Sequence, residues 1–286
     1  MVVEKRVDWR SRNILRKATP GQLGRLAEEQ FYDLFRWWGS SPKVEFHEDQ
    51  GLLRLITGTK MSLYNCVGRT RLSEREADDA IDDVLQESRA RGLPRMWLLD
   101  SSTRPKDLPE RLVKHGFTKE DDTPGMSVDL QRMRDDPPET PGLEIKEVRT
   151  RKQQEVFMDT MVRAYEMPLE DTPKVTEVDA GLCFCKDNQC RRYYALLEGE
   201  PVATSLMFPS RGVAGVYCVA TMKDHRRKGI GTQITLAPLR DAKSMGFKYG
   251  VLQATRAGHP VYSKIGFEDQ GNVRMYYFNP KPEKKV

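Results

Sequence analysis

The fold follows from Arg226-Arg227-Lys228-Gly229-Ile230-Gly231, a basic, glycine-rich stretch between two segments of different periodicity. Residues 213–220 before it are apolar, which is typical of a buried strand. Residues 232–245 after it repeat apolar side chains at roughly helical spacing, and Pro238 inside that run is expected to kink the helix or remove one hydrogen bond. A turn from strand to helix leaves backbone N–H groups unpaired, and the helix dipole adds partial positive charge there. The stretch therefore predicts a phosphate or pyrophosphate site.

Two common phosphate-binding motifs do not fit this stretch. A Walker A loop requires Lys-Ser or Lys-Thr directly after its last glycine, but Thr232-Gln233 follow Gly231. A dinucleotide-binding fingerprint requires a third glycine where this chain has Ile234, and a first glycine at the strand end, where residues 222–228 intervene. The pattern Arg-x-x-Gly-x-Gly that begins at Arg226 resembles instead the pyrophosphate loop of the GNAT superfamily of acetyl-CoA-dependent acyltransferases.

A second motif supports this resemblance. Residues 249–254 predict another buried strand, and Pro260-Val261-Tyr262-Ser263-Lys264-Ile265-Gly266-Phe267 predicts a short helix that ends at glycine. With a last strand at residues 275–278, the order of elements resembles the distal half of a GNAT domain. The chain departs from the family at Thr255 and Gly258, where many members have asparagine and alanine, so the contacts made through those two positions are not transferred.

The resemblance implies a cosubstrate and a set of site residues. Acetyl-CoA would bind at the strand end and the loop, that is, at Val219, Thr221, Arg226, Arg227, Lys228, Gly229, Ile230, Gly231 and Thr232. The backbone near Val219 and Thr221 is expected to pair with the pantetheine arm, and the three basic side chains are expected to add mobile positive charge at the rim. Tyr262 would lie near the sulfur and protonate the departing thiolate. The alternative for Tyr262 is an aromatic side chain packed in the core.

The resemblance also implies a primary amine as the acceptor, and such an amine has to lose a proton. A lysine-type amine has a pKa near 10.4, so scarcity of its neutral form at pH 7 costs about 4–5 kcal/mol unless the site helps. Residues 213–221 contain neither glutamate nor histidine. His225 is interpreted as a surface residue, and Glu166, Glu170 and Asp171 as part of a solvated loop where the family builds its acceptor pocket. The general base is therefore unassigned.

Composition narrows the class of protein. The net charge of +5 comes from basic residues that are interleaved with acidic ones, which does not indicate nucleic-acid binding. No run of eighteen apolar residues predicts a membrane span, and residues 1–6 lack the apolar core of a signal peptide. An odd number of cysteines, five, favours a reducing, cytoplasmic location. Cys183, Cys185 and Cys190 lack a fourth neighbouring ligand, so no metal is expected. Cys183 and Cys185 are interpreted as buried thiols on one face of a strand or loop, and Cys218 as a packing residue on the central strand, with a cysteine that carries the acyl group as the alternative.

The sequence predicts two domains of similar plan, at residues 1–135 and 136–286. Residues 135–142 have the composition of a linker, with three prolines and a glycine. The second half then predicts a strand at 143–148, a helix at 150–165 and a hairpin at 192–208 before the motifs described above. The first half repeats the end of that plan with paired strands at 52–57 and 61–67, a helix at 76–90, a strand at 95–99 and a short helix that ends in Gly116-Phe117.

The residues of the cofactor loop and the tyrosine of the second half are not repeated in the first half. Residues 68–74 lack the glycine pair, and Leu112 stands where the second half has Tyr262. We interpret residues 1–135 as a degenerate GNAT-like domain without a cofactor loop, with an unrelated α/β domain as the alternative. The tandem arrangement is similar to that of mycothiol synthase and other double-GNAT proteins, although nothing in this sequence indicates that substrate.

The expected fold class is α/β (α+β), with two GNAT-like domains, each a mixed, mostly antiparallel twisted sheet flanked by helices. The expected function is that of an N-acyltransferase that moves an acetyl group from acetyl-CoA to an amine-bearing small molecule or peptide. Two alternatives stay open, namely a non-catalytic, acetyl-CoA-binding regulatory protein and an interaction module. We expect a monomer or homodimer that binds neither nucleic acid nor membrane.

Overall fold

A computed structural model describes residues 14–49, 51–120, 122–184 and 190–280. Its helices are α1 (Pro20–Gly39), α2 (Glu74–Arg91), α3 (Leu108–Lys114), α4 (Arg151–Ala164), α5 (Thr172–Cys183), α6 (Ile230–Ser244) and α7 (His259–Ile265). Its strands are β1 (Glu45–Glu48), β2 (Leu53–Ile56), β3 (Cys66–Gly68), β4 (Arg95–Leu99), β5 (Thr118–Lys119), β6 (Thr123–Asp129), β7 (Leu143–Glu147), β8 (Arg191–Leu197), β9 (Glu200–Ser210), β10 (Val213–Thr221), β11 (Tyr249–Gln253) and β12 (Glu268–Phe278). None of the helices in these described ranges is both long and apolar enough to cross a membrane.

The described residues divide into two compact units. The first unit takes its residues from Met1–Leu34, Gly125–Met167 and Cys183–Gly271, and the second unit from Phe35–Pro124, Pro168–Leu182 and Asn272–Val286. The units differ from the predicted domains 1–135 and 136–286. β6 belongs to the first half of the sequence but pairs with β11 in the first unit, and the end of β12 pairs with β4 in the second unit. Each unit therefore takes a strand from the other half of the sequence.

The first unit is built on a sheet in the order β6-β11-β10-β9-β8-β7. Only β10 and β11 are parallel among these described pairs, and the others are antiparallel. One face packs against α6 and α7 in a core that includes Ala214, Val216, Ile234, Leu239 and Ile265. The strand predicted at 143–148, the helix predicted at 150–165 and the predicted hairpin are found here as β7, α4, β8 and β9, whereas the strand predicted at 275–278 pairs with β4 in the second unit. α6 continues through Pro238 as a single helix.

The other face of this sheet packs against α1, a helix that the sequence analysis did not predict. Its apolar residues Leu23 and Ala27 pack against β10 and β11. Gln30 is fully buried, and its amide donates to the carbonyls of Phe208, Ser210 and Val213 while its oxygen accepts from the hydroxyl of Tyr217. This network satisfies the buried amide and ties the N-terminal helix to the strand that leads to the glycine turn.

The second unit is built on a sheet in the order β1-β2-β3-β4-β12, with β5 also paired to β12. β3 and β4 are parallel, and the remaining described pairs are antiparallel. The predicted helix at 76–90 is α2, and its residues Ala77, Ile81, Val84 and Leu85 are buried. They share a core with Leu112, Trp97 and Phe117. The expected fold class, mixed sheets that are mostly antiparallel and flanked by helices, is confirmed.

Two local predictions are wrong. The strand expected at 61–67 is confined to β3, because the buried side chain of Asn65 binds the backbone of Thr57, Gly58, Thr59 and Met61 and closes a longer loop that contains a 3-10 turn at Ser62–Tyr64. The second concerns the segment that follows the loop expected at Glu166, Glu170 and Asp171, because this segment is the helix α5. Cys183 accordingly ends a helix and does not lie on a strand or loop.

Candidate functional site

The end of β10 carries a β-bulge that the sequence did not predict. Tyr217 pairs with Leu206, and Ala220 pairs with Thr204, so β10 has one residue more than β9 across this interval. Cys218 in the bulge has a φ of 52°, and the hydroxyl of Thr204 donates to its carbonyl at 2.8 Å. The bulge interrupts the ladder between β10 and β9 at Cys218 and Val219, and the ladder resumes at Ala220.

β10 and β11 also separate beyond the bulge. Within the described residues their parallel pairing is confined to Ala214 with Gly250 and Gly215 with Val251. β10 continues to Thr221, whereas β11 ends at Gln253. The backbone of β10 near Val219 therefore has no strand partner on the β11 side in this described region.

The glycine turn brings unpaired backbone donors to the start of α6. Arg227 and Gly229 are in the left-handed region, with φ values of 63° and 81°, and Gly229 precedes the first helical residue without any side-chain cap. Within the part of the chain that the structure describes, hydrogen bonds are absent from the backbone N–H groups of residues 227–231. Five N–H donors at a helix N-terminus form an arrangement suited to an anion.

The two glycines have different physical roles. Gly229 requires a positive φ, which other residues adopt only with strain. Gly231 is helical, and a Cβ atom there would meet only Thr221 Oγ1, at 3.7 Å. The absence of a side chain at Gly231 leaves the backbone of the first helical turn accessible.

The side chain of Arg226 is bound to the protein and is not the mobile rim charge that was expected. Its Nε donates to the carbonyl of Thr221 at 3.0 Å, and its Nη2 donates to the carbonyl of Ala164 at 3.0 Å. The same nitrogen lies 3.5 Å from the carboxylate of Glu166. Arg226 thus joins the end of α4 to the end of β10. Arg227 and Lys228 are exposed beside the turn.

Tyr165 also contacts this strand end, and the sequence analysis did not name it as a site residue. Its hydroxyl donates to the carbonyl of Val219 at 3.1 Å. The two residues are 54 positions apart, so no local sequence pattern indicates the contact. Together with Arg226, Tyr165 fixes the C-terminus of α4 beside the bulge.

Tyr262 lies on α7 in the core of the same unit. Its side chain is 7% exposed and packs edge-on against Phe267, with ring centroids 6.0 Å apart. Gly258 lies against this ring. A Cβ atom at Gly258 would lie 2.8 Å from Cε2 of Tyr262, so the ring occupies the space that a side chain would need.

The electrostatic setting of Tyr262 keeps its phenol protonated. Burial raises its pKa above the ordinary value, because the phenolate would lose its hydration. Its hydroxyl makes no side-chain hydrogen bond to any described residue. The group is thus a neutral donor that is free to bind another acceptor.

We expect Gly258→Ala to displace the Tyr262 ring. The added methyl group would overlap the ring, and overpacking of this kind costs about 1–3 kcal/mol. Chemical denaturation of Gly258→Ala, Tyr262→Leu and the double variant measures the coupling. If the ring is the obstacle, the double variant should be more stable than the sum of the single effects indicates. Strict additivity would contradict the contact.

The candidate acidic and basic groups are dispersed. Glu166, with a φ of 54°, follows α4 and is exposed beside Arg226. Asp171 is buried in the second unit, where its carboxylate accepts a hydrogen bond from the backbone of Lys60, so the interpretation of a solvated loop is wrong for this residue. His225 is half-buried, and its Nδ1 has no partner among the described residues.

The cysteines do not form a described cluster. Cys183 ends α5 and Cys190 precedes β8, whereas Cys185 lies outside the described residues. Cys218 is half-buried in the bulge. Over the described ranges, no group of three or more metal-binding side chains comes together.

The chain has recognisable similarity to known proteins. Residues 155–267 match the model of the acetyltransferase (GNAT) family. Over the whole fold the chain is similar to a GCN5-related N-acetyltransferase from Kribbella flavida, with 19% identity, a TM-score of 0.61 and coverage of 92% of this chain and 97% of that one. A GCN5-related N-acetyltransferase from Sphaerobacter thermophilus gives 12% identity, a TM-score of 0.61 and coverage of 93% and 95%.

A third similar structure is a tandem GNAT protein from the clavulanic acid biosynthesis pathway. It shares 15% identity with this chain, with a TM-score of 0.55 and coverage of 94% of this chain and 90% of that one. At these identities the likeness concerns the fold. The family match covers the bulge, the glycine turn, α6 and α7, which are the elements that form the candidate site.

Proposed function

We propose that this chain is an N-acetyltransferase that moves an acetyl group from acetyl-CoA to a primary amine, because residues 155–267 match the model of the acetyltransferase (GNAT) family. The observation that carries the proposal is the uncapped start of α6. Five consecutive backbone N–H groups there have no partner among the described residues. They suit the pyrophosphate of coenzyme A through hydrogen bonds and through the partial positive charge of the helix N-terminus.

The residues present fit such a ligand in two further respects. Gly229 supplies the positive φ of the turn, and the lack of a side chain at Gly231 leaves the first turn of α6 accessible to a pyrophosphate. The exposed side chains of Arg227 and Lys228 add positive charge beside the turn. We assign the pyrophosphate to residues 227–232 and the pantetheine arm to the backbone of β10 from Val219 to Thr221.

The bulge gives β10 groups that can hold the reacting end of the cosubstrate. When bound, acetyl-CoA supplies an acetyl group already activated as a thioester. An N–H at the interrupted part of the ladder can donate to the thioester oxygen, on which negative charge grows as the amine attacks. The amine nitrogen forms the new bond to the carbonyl carbon, the carbon–sulfur bond breaks, and the sulfur leaves with the electron pair.

We assign Tyr262 to the leaving sulfur. Burial raises the pKa of Tyr262, whereas an ordinary thiol has a pKa near 8.5. Complete proton transfer from the phenol to the thiolate is therefore unfavourable. Tyr262 acts in this proposal as a hydrogen-bond donor to the developing thiolate, and the amine proton reaches solvent or the sulfur at the end of the reaction.

The test is acetyl-CoA binding followed by turnover with a panel of primary amines. Calorimetry on the full chain measures binding, and release of the free thiol measures transfer to small amines and to peptide N-termini. Thiol release that depends on one class of amine supports the proposal and identifies the acceptor class. Binding without release over a broad panel favours the regulatory alternative. No binding at all contradicts the assignment of the cosubstrate.

We further propose that the second unit does not bind acetyl-CoA. At the start of its helix α2, Ser73 and Glu76 form a capping box, so a carboxylate already occupies the helix N-terminus. The backbone N–H groups of Arg71 and Leu72 bond to the carbonyls of Gly51 and Arg104. The donors that are unpaired in the turn before α6 are satisfied internally here.

A stoichiometry of one acetyl-CoA per chain is therefore expected from calorimetry on the full protein. Gly231→Asp should reduce this stoichiometry to zero, because its carboxylate would repel the pyrophosphate at the turn before α6. Ser73→Ala, which weakens the capping box in the second unit, should leave the stoichiometry at one. Two molecules per chain, with the second lost on substitution within residues 69–73, would contradict this proposal.

A further inference from the structure

The segment between the two halves of the sequence lies along α6. Near its start, Nε of Arg240 donates to the carboxylate of Asp135 at 2.6 Å. Further along, Nε2 of Gln233 donates to the carbonyl of Pro138 at 3.1 Å. The segment thus follows the helix back toward its N-terminus and reaches the glycine turn at Thr140. It lies outside the part of the chain that matches the family model.

Thr140 makes two hydrogen bonds at the turn, and their directions are determined. Nε2 of Gln233 donates to the hydroxyl oxygen of Thr140 at 2.8 Å, and the hydroxyl oxygen lies 2.9 Å from the carbonyl of Lys228. The bond from Gln233 to the carbonyl of Pro138 fixes the orientation of the amide, because only its nitrogen can donate there. The single hydroxyl proton of Thr140 therefore points to the carbonyl of Lys228.

The bond to Lys228 controls the direction of the next N–H group. In a trans peptide the carbonyl of one residue and the N–H of the following residue point in opposite directions. When Thr140 holds the carbonyl of Lys228 on its own side, the N–H of Gly229 points away from Thr140. Oγ1 of Thr140 also lies 3.4 Å from the position of a Cβ at Gly229. Thr140 therefore packs against the turn on the side opposite the N–H of Gly229.

We infer that Thr140 is a positioning residue for the pyrophosphate of acetyl-CoA, and this inference rests on the proposed function. Thr140 acts through the Lys228–Gly229 peptide and does not touch the cosubstrate. With its hydroxyl in place, the peptide plane is held in one orientation before the ligand arrives, so binding requires less ordering of the turn. Gln233 supports this arrangement by keeping the hydroxyl proton directed at Lys228.

Thr140→Val tests the inference, because valine has nearly the same shape but neither donates nor accepts. We expect the Kd for acetyl-CoA to rise about 5- to 20-fold, less than the roughly 10- to 150-fold cost of losing a hydrogen bond to a charged group outright, because the N–H of Gly229 is less well oriented but still present. Binding of S-acetylpantetheine, which lacks the pyrophosphate, should change less than about twofold. Thr140→Ser keeps the hydroxyl and should restore the affinity for acetyl-CoA.

Arg240→Gln is the matched control, because it releases the same segment at Asp135, away from the turn. Its affinity for acetyl-CoA should remain near that of the unmodified protein, and thermal unfolding of all three variants checks that they are folded. Equal losses for acetyl-CoA and S-acetylpantetheine in Thr140→Val, or no loss at all, would overturn the role of Thr140. Failure of the unmodified protein to bind acetyl-CoA would instead contradict the proposed function.

Discussion

Gly231→Asp is expected to abolish acetyl-CoA binding while the protein remains at least as stable as before. A Cβ at this position would meet only Thr221 Oγ1, at 3.7 Å, so the new side chain fits sterically. Its carboxylate would lie among the free N–H groups at the start of α6 and would repel the pyrophosphate. At about 4 Å two charges near a protein surface repel by about 4 kcal/mol, which corresponds to a loss of affinity of several hundredfold.

The effect on stability has the opposite sign from the effect on binding. A negative charge in the first turn of a helix contributes about 0.3–1 kcal/mol of stability through the helix dipole. Calorimetry and thermal unfolding of Gly231→Asp, Gly231→Asn and Gly231→Ala separate charge from size. Affinity that is lost in all three variants to the same degree would show that any side chain obstructs the site. Near-normal affinity in Gly231→Asp would contradict the assignment of the pyrophosphate to this turn.

Tyr262→Phe is expected to reduce turnover strongly while the affinity for acetyl-CoA stays almost unchanged. The substitution keeps the ring that packs against Phe267 and Gly258 and removes only the hydroxyl. Positioned proton donors of this kind contribute about 100- to 10,000-fold in rate. A fall in turnover of about tenfold is the smallest effect that agrees with Tyr262 as the donor to the leaving sulfur. Steady-state kinetics and calorimetry on the same preparation measure the two quantities.

The leaving group and the pH provide further checks on Tyr262. The thiolate of a more acidic thiol is a better leaving group and depends less on a hydrogen-bond donor. The loss of turnover caused by Tyr262→Phe should therefore be smaller with a thioester of such a thiol. Because burial raises the pKa of Tyr262, the phenol stays protonated up to pH values above its ordinary pKa, and its donor function should persist through the mildly alkaline range.

Tyr193→Phe is the matched control for Tyr262→Phe. It removes another largely buried hydroxyl, one that donates to Asp241 at 2.5 Å. We expect it to affect stability and not turnover. Full activity of Tyr262→Phe with acetyl-CoA would leave Tyr262 as a packing residue.

The periodic elements of the fold were predictable because their signals are local. The helix that became α6, the hairpin of β8 and β9 and the short helix that ends at Gly266 each follow from a few neighbouring residues. The role of α1 was not predictable in the same way. Its buried Gln30 is explained only by carbonyl groups about 180 positions away, which no pattern within the helix indicates.

In the candidate site, too, the features with a local sequence signal were predictable and the contacts between distant segments were not. The glycine turn and Tyr262 were named from motifs, and the structure brings unpaired N–H groups to that turn. The bulge at Cys218 was not predicted, because the residue adopts a positive φ without the glycine or asparagine that usually signals it. The bonds of Arg226, Tyr165 and Thr140 join segments that are distant in sequence, so only the folded chain reveals them.

The position of β12 in the second unit has a consequence for synthesis on the ribosome. β4 lies between β3 and β12, which contributes Arg274–Phe278 to the pairing. While the protein is being translated, β4 emerges long before that partner, and one of its edges stays unpaired until residues 274–278 have been made. An unpaired edge invites association with other nascent chains. The sheet of the second unit is thus completed only after residues 274–278 have been made, and a premature stop shortly before residue 274 would leave β4 without this partner.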